Sequence, residues 1–448
     1  MIKNVINRKN ILKDFFFNEN TRELCRIDGK NTFTRNRKIT FTDILLMTYN
    51  KQAKTTSMEI RNYEKDMKGK NKVDYTNEAY LKQRRNLNPN VFKEANKLYL
   101  NNFYNEDKEN IIKNKKYIVM AIDGSKIEIP NTPQNREYFG KTKNQHSKDR
   151  QPARALISTI YDINNQFYLD VEIDKYFSSE KTLAKRNIEK ALEIVNDDII
   201  VIFDRNYASL EMFLWLNEHN IKYVMRLTDK FYKKEIEDMK TNDEIIYLQH
   251  TYPRLQNLRK DYPEETKKLE DLKETKIRCT KIKLETGSTE VILSNLDINE
   301  FNAQDIKDLY GQRWNIETSY DCIKSKLKIE AFTGNLPILI KQDIYSQILV
   351  YNQLQDMIYT GNEKLKEKLK DKKLKLEYKI NENIAVGLFK NELIRILLIE
   401  DKEESNKQYE RLMNKMTNYT TAIRKGRPSQ PRLFNRANRY RTNMKSSF

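Results

Sequence analysis

The chain is 448 residues long, with 83 Lys+Arg against 64 Asp+Glu and a formal net charge of +19. That length exceeds one compact domain, and 38% hydrophobic residues with 26 Tyr and 18 Phe can build a core, which excludes wholesale disorder. Cys25, Cys279 and Cys322 are too scattered for a disulfide scaffold or a Cys-based zinc knuckle, and no apolar run reaches the roughly 20 residues of a membrane span or the pattern of a secretion signal, so a reducing cytoplasm is expected.

Residues 1–116 carry 26 basic and 14 acidic side chains, a net of +12, and read as helical. Thr40-Phe-Thr-Asp43 is a capping-box start for the apolar run Ile44-Leu45-Leu46-Met47. A second helix is predicted over 57–66, ending near Gly69. Asn88 as N-cap, with Pro89 at the first helical position, opens a third that sets Val91, Ala95, Leu98 and Asn102 on one stripe. A small basic helical domain follows from this, suited to a polyanion such as DNA.

The period changes at Tyr117. Residues 117–123 form a short β-branched apolar run, a buried strand ending in Asp123. Two more strands, 155–163 and 166–173, are joined by Asn164-Asn165 as a hairpin turn. A helix over 180–195 leads to a buried strand, 199–203, ending in Asp204. Helix 208–219 and strand 222–227 follow. This order predicts a mixed α/β sheet over 117–228. Residues 229–298 are charged and Tyr-bearing, with alternating pieces at 276–284 and 289–294, and read as a β-rich insertion. From 299 to 420 the chain returns to helices. Residues 421–448 hold eight basic side chains and no acid, a net of +8, so the centre of the chain is left at −1. An Asn- and Lys-rich composition alone also makes a chain basic. The Arg-dominated tail, however, suits phosphate contacts.

Two strands therefore end in aspartate, Asp123 before Gly124-Ser125 and Asp204 before Arg205-Asn206-Tyr207. Acids at strand ends sit on the sheet's rim, where sites are built, and hard divalent cations need such oxygen ligands. Taken alone, each is equally a turn or cap residue. The third element is Tyr310-Gly-Gln-Arg313-Trp-Asn-Ile-Glu317, continuing to Lys324. On a helix at about 100° per residue, Tyr310, Arg313, Glu317 and Lys324 fall within one sector of about 60°. Leu309, Ile316, Ile323 and Leu327 form an apolar stripe beside it. The same face also fits an ordinary solvated one with Arg313–Glu317 as an i,i+4 pair.

The spacing of Tyr310, Arg313, Glu317 and Lys324 resembles the Y-R-E-K signature of DDE transposases from bacterial insertion sequences, and Asp123 and Asp204 look like that family's first and second acids. The resemblance spans roughly residues 40–335. Asn206 stands where a glycine is common, and the insertion lacks a Trp. The resemblance implies a ribonuclease-H-like mixed sheet with a β-rich insertion, preceded by a helical DNA-binding domain (1–116) and followed by helices (299–420) and a basic tail (421–448). It implies that Asp123, Asp204 and Glu317 bind two Mg²⁺ or Mn²⁺ ions for cleavage and strand transfer. Arg313, Lys324 and Arg205 would contact DNA phosphates, with Tyr310 near the cleaved end. The implied partners are double-stranded DNA (inverted-repeat ends and target) and a second copy of the chain on paired ends, at the nucleoid of a bacterial cytoplasm. The alternatives are a non-catalytic DNA-binding transposition inhibitor or domesticated copy, and a metal-dependent nuclease without strand transfer.

Other features read as structural. Gly140-Lys141-Thr142 is no phosphate loop, because Asn135 occupies the partner glycine's place. His146, His219 and His250 lack metal-ligand spacing. Ser125 reads as a turn residue, and Trp215 and Trp314 as core anchors.

Overall fold

A computed structural model describes residues 1–27, 30–35, 38–67, 75–142, 151–228, 231–283 and 287–424. The N-terminal region is helical as its caps predict. Helix α1 spans Ile2–Phe17, α2 Phe41–Tyr49, α3 Thr56–Asp66 and α4 Asn90–Glu106. The capping box closes in both directions. The Asp43 N–H donates to Thr40 Oγ1 (3.1 Å), and the Thr40 N–H donates to Asp43 Oδ2 (2.9 Å). Helix α4 starts one residue later than predicted, with Asn88 Oδ1 accepting from the Asn90 N–H at 3.1 Å. Its buried face is also turned from the expected stripe. Phe92, Tyr99 and Phe103 are buried with Val91 and Ala95 while Leu98 is exposed, because three aromatic rings bury more area than one leucine.

The centre is one eight-stranded sheet. In chain order it contains β1 (Ile118–Glu128), β2 (Arg154–Asp162), β3 (Phe167–Lys175), helix α5 (Glu180–Leu192), β4 (Ile199–Phe203), helix α6 (Leu210–Glu218) and β5 (Lys222–Arg226). Then come β6 (Asp243–Gln249), β7 (Glu274–Lys283) and β8 (Thr289–Ser294). The strand order is β3-β2-β1-β4-β5-β8-β7-β6. Strands β1, β2 and β3 form an antiparallel meander, and β4 runs parallel to both β1 and β5. This is the ribonuclease-H-like arrangement. The β2–β3 hairpin turns at the predicted place, with Gln166 in the left-handed region (φ 62°). Strands β6 to β8 extend this same sheet from β5, and the helices Tyr252–Asp261 and Pro263–Leu272 lie between β6 and β7.

After the sheet come α7 (Ala303–Gly311), α8 (Trp314–Asp321), α9 (Pro337–Leu369), α10 (Glu382–Leu398) and α11 (Lys402–Met416). Strands β9 (Glu377–Ile380) and β10 (Thr420–Ile423) pair antiparallel. The segment read as a basic tail therefore begins in a strand, and residues 425–448 lie outside the described residues.

Helix α9 has 33 residues, about 50 Å of helix, and is buried along most of its length. Its polar side chains tie the N-terminal helices to the sheet. Asp356 takes both the Nε (2.7 Å) and an Nη (2.8 Å) of Arg8, whose other Nη reaches Asp107 (2.8 Å). Asp343 pairs with Arg84, and Asn352 bridges Asn96 (2.7 Å) and the Tyr168 carbonyl (2.8 Å). These groups are nearly all closed to solvent, so their pairing is obligatory.

Lys390 on α10 is buried with its ammonium donating to the Lys51 carbonyl and Gln347. Burial, aided by the charge of Lys51, pulls its pKa down to about 7, with Glu59 and Asp343 opposing. Unfolded, the same amine titrates near 10.4. Between pH 7 and about 10 the unfolded chain therefore binds more protons, so this group's contribution to stability grows with pH and is lost as pH falls towards 7. Lys390→Met should flatten that part of the stability profile in urea unfolding at pH 7, 8 and 9. An unchanged slope would count against a neutral buried amine.

Candidate active site

The site forms where β1 and β4 run side by side. Ala121 lies beside Ile202 in that parallel pair, and Asp204 continues in extended backbone (φ −74°, ψ 168°). Two residues beyond that pair stand Asp123, still within β1, and Asp204, one residue past the end of β4. The 81-residue separation of the two acids equals the register offset between the strands. Asp123 was expected to end its strand and does not. Strand β1 continues to Glu128 because β2 goes on pairing with it, placing Asp123 opposite Thr159. Strand β4 stops at Phe203.

Glu317 arrives on α8. The predicted unbroken helix over 310–324 is instead α7, a break at Gln312-Arg313, α8 and a π-helical turn over Cys322–Lys326. The break keeps helical dihedrals at both Gln312 and Arg313, so the one-turn relation of Arg313 to Glu317 survives. Arg313 Nη1 meets Glu317 Oε1 at 2.9 Å. Helix α8 is pinned to β1 by Tyr320, whose hydroxyl donates to the Asp123 carbonyl (2.9 Å) and shares a hydrogen bond with Thr159 Oγ1 (2.9 Å). Lys324 Nζ donates to Ser125 Oγ at 2.6 Å. Ser125 is thus a strand residue facing the signature helix, and not a turn residue. Neither Tyr320 nor Thr159 was singled out from the sequence, although a tyrosine one turn after a candidate acid is a visible signal.

The guanidinium of Arg313 lies 6.0 Å from the Tyr310 ring and 4.7 Å from the Trp314 ring. Trp314 is 54% exposed, which corrects its reading as a core anchor, and Trp215 is half-buried against His219. Among the described residues the buried Tyr310 hydroxyl has no hydrogen-bond partner, and it lies in the field of Arg313 and Asp204. Arg205 opens the 3₁₀ turn Arg205–Tyr207 and is exposed. Asn206 sits in that turn outside the left-handed region, so the missing glycine carries no backbone cost. Of the histidines, His219 and His250 make local hydrogen bonds to main-chain carbonyls, and His146 lies outside the described residues.

Burial pushes the Asp123 carboxyl up to about 7, against the pull of Arg313 and of the Gly124 N–H (3.0 Å), with Glu317 and Asp204 adding repulsion. Arg313 stays firmly charged, held by Tyr310, Glu317 and Asp204 against its burial. The charges of Glu317 and Asp204 are felt at Asp123, and carboxylates are hard-oxygen donors of the kind a divalent cation satisfies. Among the described residues, no three carboxylate, His or Cys side chains already converge on one point, and Glu317 is paired with Arg313. The donor chemistry fits a cation of the magnesium type. No helix among the described residues is long and apolar enough to cross a membrane.

The transposase DDE domain family matches residues 114–353 of this chain. The transposase InsG for insertion sequence element IS4, from Escherichia coli K12, is 23% identical over 254 residues, which are 55% of this chain and 54% of that protein. The putative transposase InsL for insertion sequence element IS186A, from the same organism, is 31% identical over 75 residues, 17% of this chain and 20% of that protein. The chain thus spans about half the length of InsG and a fifth of InsL. A cryo-EM structure of the piggyBac transposase synaptic complex with hairpin DNA aligns with 90% of this chain and 85% of that one, at a TM-score of 0.43 and 9% identity.

Proposed function

The chain belongs to the transposase DDE domain family, and from that premise we propose that it cleaves double-stranded DNA at paired inverted-repeat ends and joins the freed 3′ ends to target DNA. The observation that carries this reading is that the parallel β1–β4 pair leads into Asp123 and Asp204, while Glu317, whose charge is felt at Asp123, lies on a helix held to the Asp123 carbonyl.

In this reading Asp123, Asp204 and Glu317 hold two Mg²⁺ or Mn²⁺ ions. A divalent cation bound there would supply Lewis-acid activation of the attacking hydroxyl and neutralise charge on the leaving 3′-oxygen. The chain's own residues do the rest. Each step forms one P–O bond to the incoming water or 3′-hydroxyl oxygen while the opposite P–O bond breaks, so the phosphodiester must be held in line. Arg313 and Lys324 converge from one helical unit and suit two phosphates, with the Arg313 fork adding direction. Arg205, exposed beside Asp204, suits a third. Tyr310 has a buried hydroxyl to offer near the cleaved end. Helices of residues 1–116 would recognise the repeat ends, two copies would hold a pair of ends, and the work would be done at the nucleoid of a bacterial cytoplasm.

Pre-cleaved ends incubated with supercoiled target DNA and Mg²⁺ test the joining step. Joined products are expected. Cleavage of intact ends without joining would leave a nuclease, and neither reaction, with binding intact, would leave a DNA-binding inhibitor.

A further inference from the structure

Next to Asp123 lies a carboxylate that the family reading does not use. The side chain of Glu180 rests on the main chain of Gly124. A Cβ built on Gly124 would stand 3.0 Å from Cδ, 3.2 Å from Cγ and 3.3 Å from Oε2 of Glu180. Gly124 lies in regular β-strand and outside the left-handed region, so its smallness serves this close approach and not an unusual dihedral. Glu180 is half-buried and begins α5, whose N-terminus Ser179 caps by accepting from the Thr182 N–H (3.3 Å). Its position is therefore set by the backbone.

Tyr207, in the turn that follows Asp204, is 1% exposed. Its hydroxyl lies in the field of Asp123, Glu180 and Asp204, and among the described residues it has no hydrogen-bond partner. Tyr320, which holds the Asp123 carbonyl, lies in the field of Asp123 and Glu180 too. A buried hydroxyl without a partner is costly, and a bound species offering oxygen recovers that cost. The hydration shell of a cation held between the two carboxylates is such a species, since magnesium-type ions keep several waters.

We propose that Glu180 is a fourth carboxylate of the site, acting with Asp123 on a bound divalent cation, and that Tyr207 is the positioning residue that meets the cation's water. The inference rests on the reading of Asp123, Asp204 and Glu317 as cation ligands. It assigns Gly124 a role as well: any side chain there would push the Glu180 carboxylate away from Asp123.

The test is Mn²⁺ uptake by the full chain without DNA, read from the free-Mn²⁺ electron paramagnetic resonance signal. Circular dichroism and melting temperature would confirm that each variant is folded. E180Q is expected to weaken Mn²⁺ binding about tenfold, G124A to do the same with all charges present, and D123N to weaken it further. Wild-type affinity in both E180Q and G124A, with D123N weakened, would overturn the role of Glu180 and leave the three-acid reading standing. Mn²⁺ uptake indifferent to D123N would overturn the three-acid reading and this inference together.

Discussion

Glu317→Gln is expected to lower Mg²⁺-dependent cleavage of end-bearing DNA by about a thousandfold or more, roughly 4 kcal/mol of barrier, while DNA affinity stays within about threefold of wild type. The substitution keeps the side chain's shape and its ability to accept from Arg313, which now pairs with Glu317 at 2.9 Å. It removes one negative charge from a cluster whose mutual repulsion shows at Asp123. A purely structural role for Glu317 as the partner of Arg313 predicts the reverse pattern. Glutamine would then preserve most activity, and any loss would appear as instability. Cleavage kinetics beside a binding isotherm on the same DNA separate the two, and undiminished cleavage by the variant removes Glu317 from the chemistry.

The second large effect lies far from that cleft. Arg8→Ala should destabilise the protein by about 3–5 kcal/mol, because it strands the carboxylates of Asp107 and Asp356 where water cannot reach them. The internal comparison is Lys97→Ala, which breaks an ion pair with Glu193 whose side chains are 36% and 40% exposed and should cost at most about 1 kcal/mol. Denaturant unfolding of the two variants side by side is the measurement. Equal small losses would mean that the Arg8 network does not hold the N-terminal helices to α9.

The core strands were legible because buried parallel strands are written as short β-branched runs, and residues 118–122 and 199–203 admit few other readings. What the sequence concealed has physical causes. Residues 124–128 mix Gly124 and the polar Ser125, Lys126 and Glu128 with the single apolar Ile127 and look like the end of a strand, but pairing with β2 continues through them and leaves Asp123 in mid-strand. The helix carrying Glu317 looked continuous because the residues at its break, Gln312 and Arg313, keep helical dihedrals and so preserve the hydrophobic phase. Strands β7 and β8 could be seen as strands and β6 was not, and local pattern says nothing about which edge they join. They add to β5. The three acids could be nominated from spacing. Glu180 could not, because a glutamate at the start of a helix is an ordinary first-turn residue until the glycine it rests on is known.

Helix α9 also sets an order of events during synthesis. Arg8 finds Asp356 348 residues later, and Arg84 waits 259 residues for Asp343. At about 5–20 residues per second, the first helices leave the ribosome roughly 20–70 s before the helix that completes their core. Contacts of such long range also fold slowly once they can form. A nascent chain that stops before residue 337 would hold its sheet and the helices packed on it, but not the Asp343 and Asp356 carboxylates that pair with Arg84 and Arg8. Copies truncated before α9 would therefore lack the ion pairs that anchor their first helices, which leaves them to chaperones and proteases.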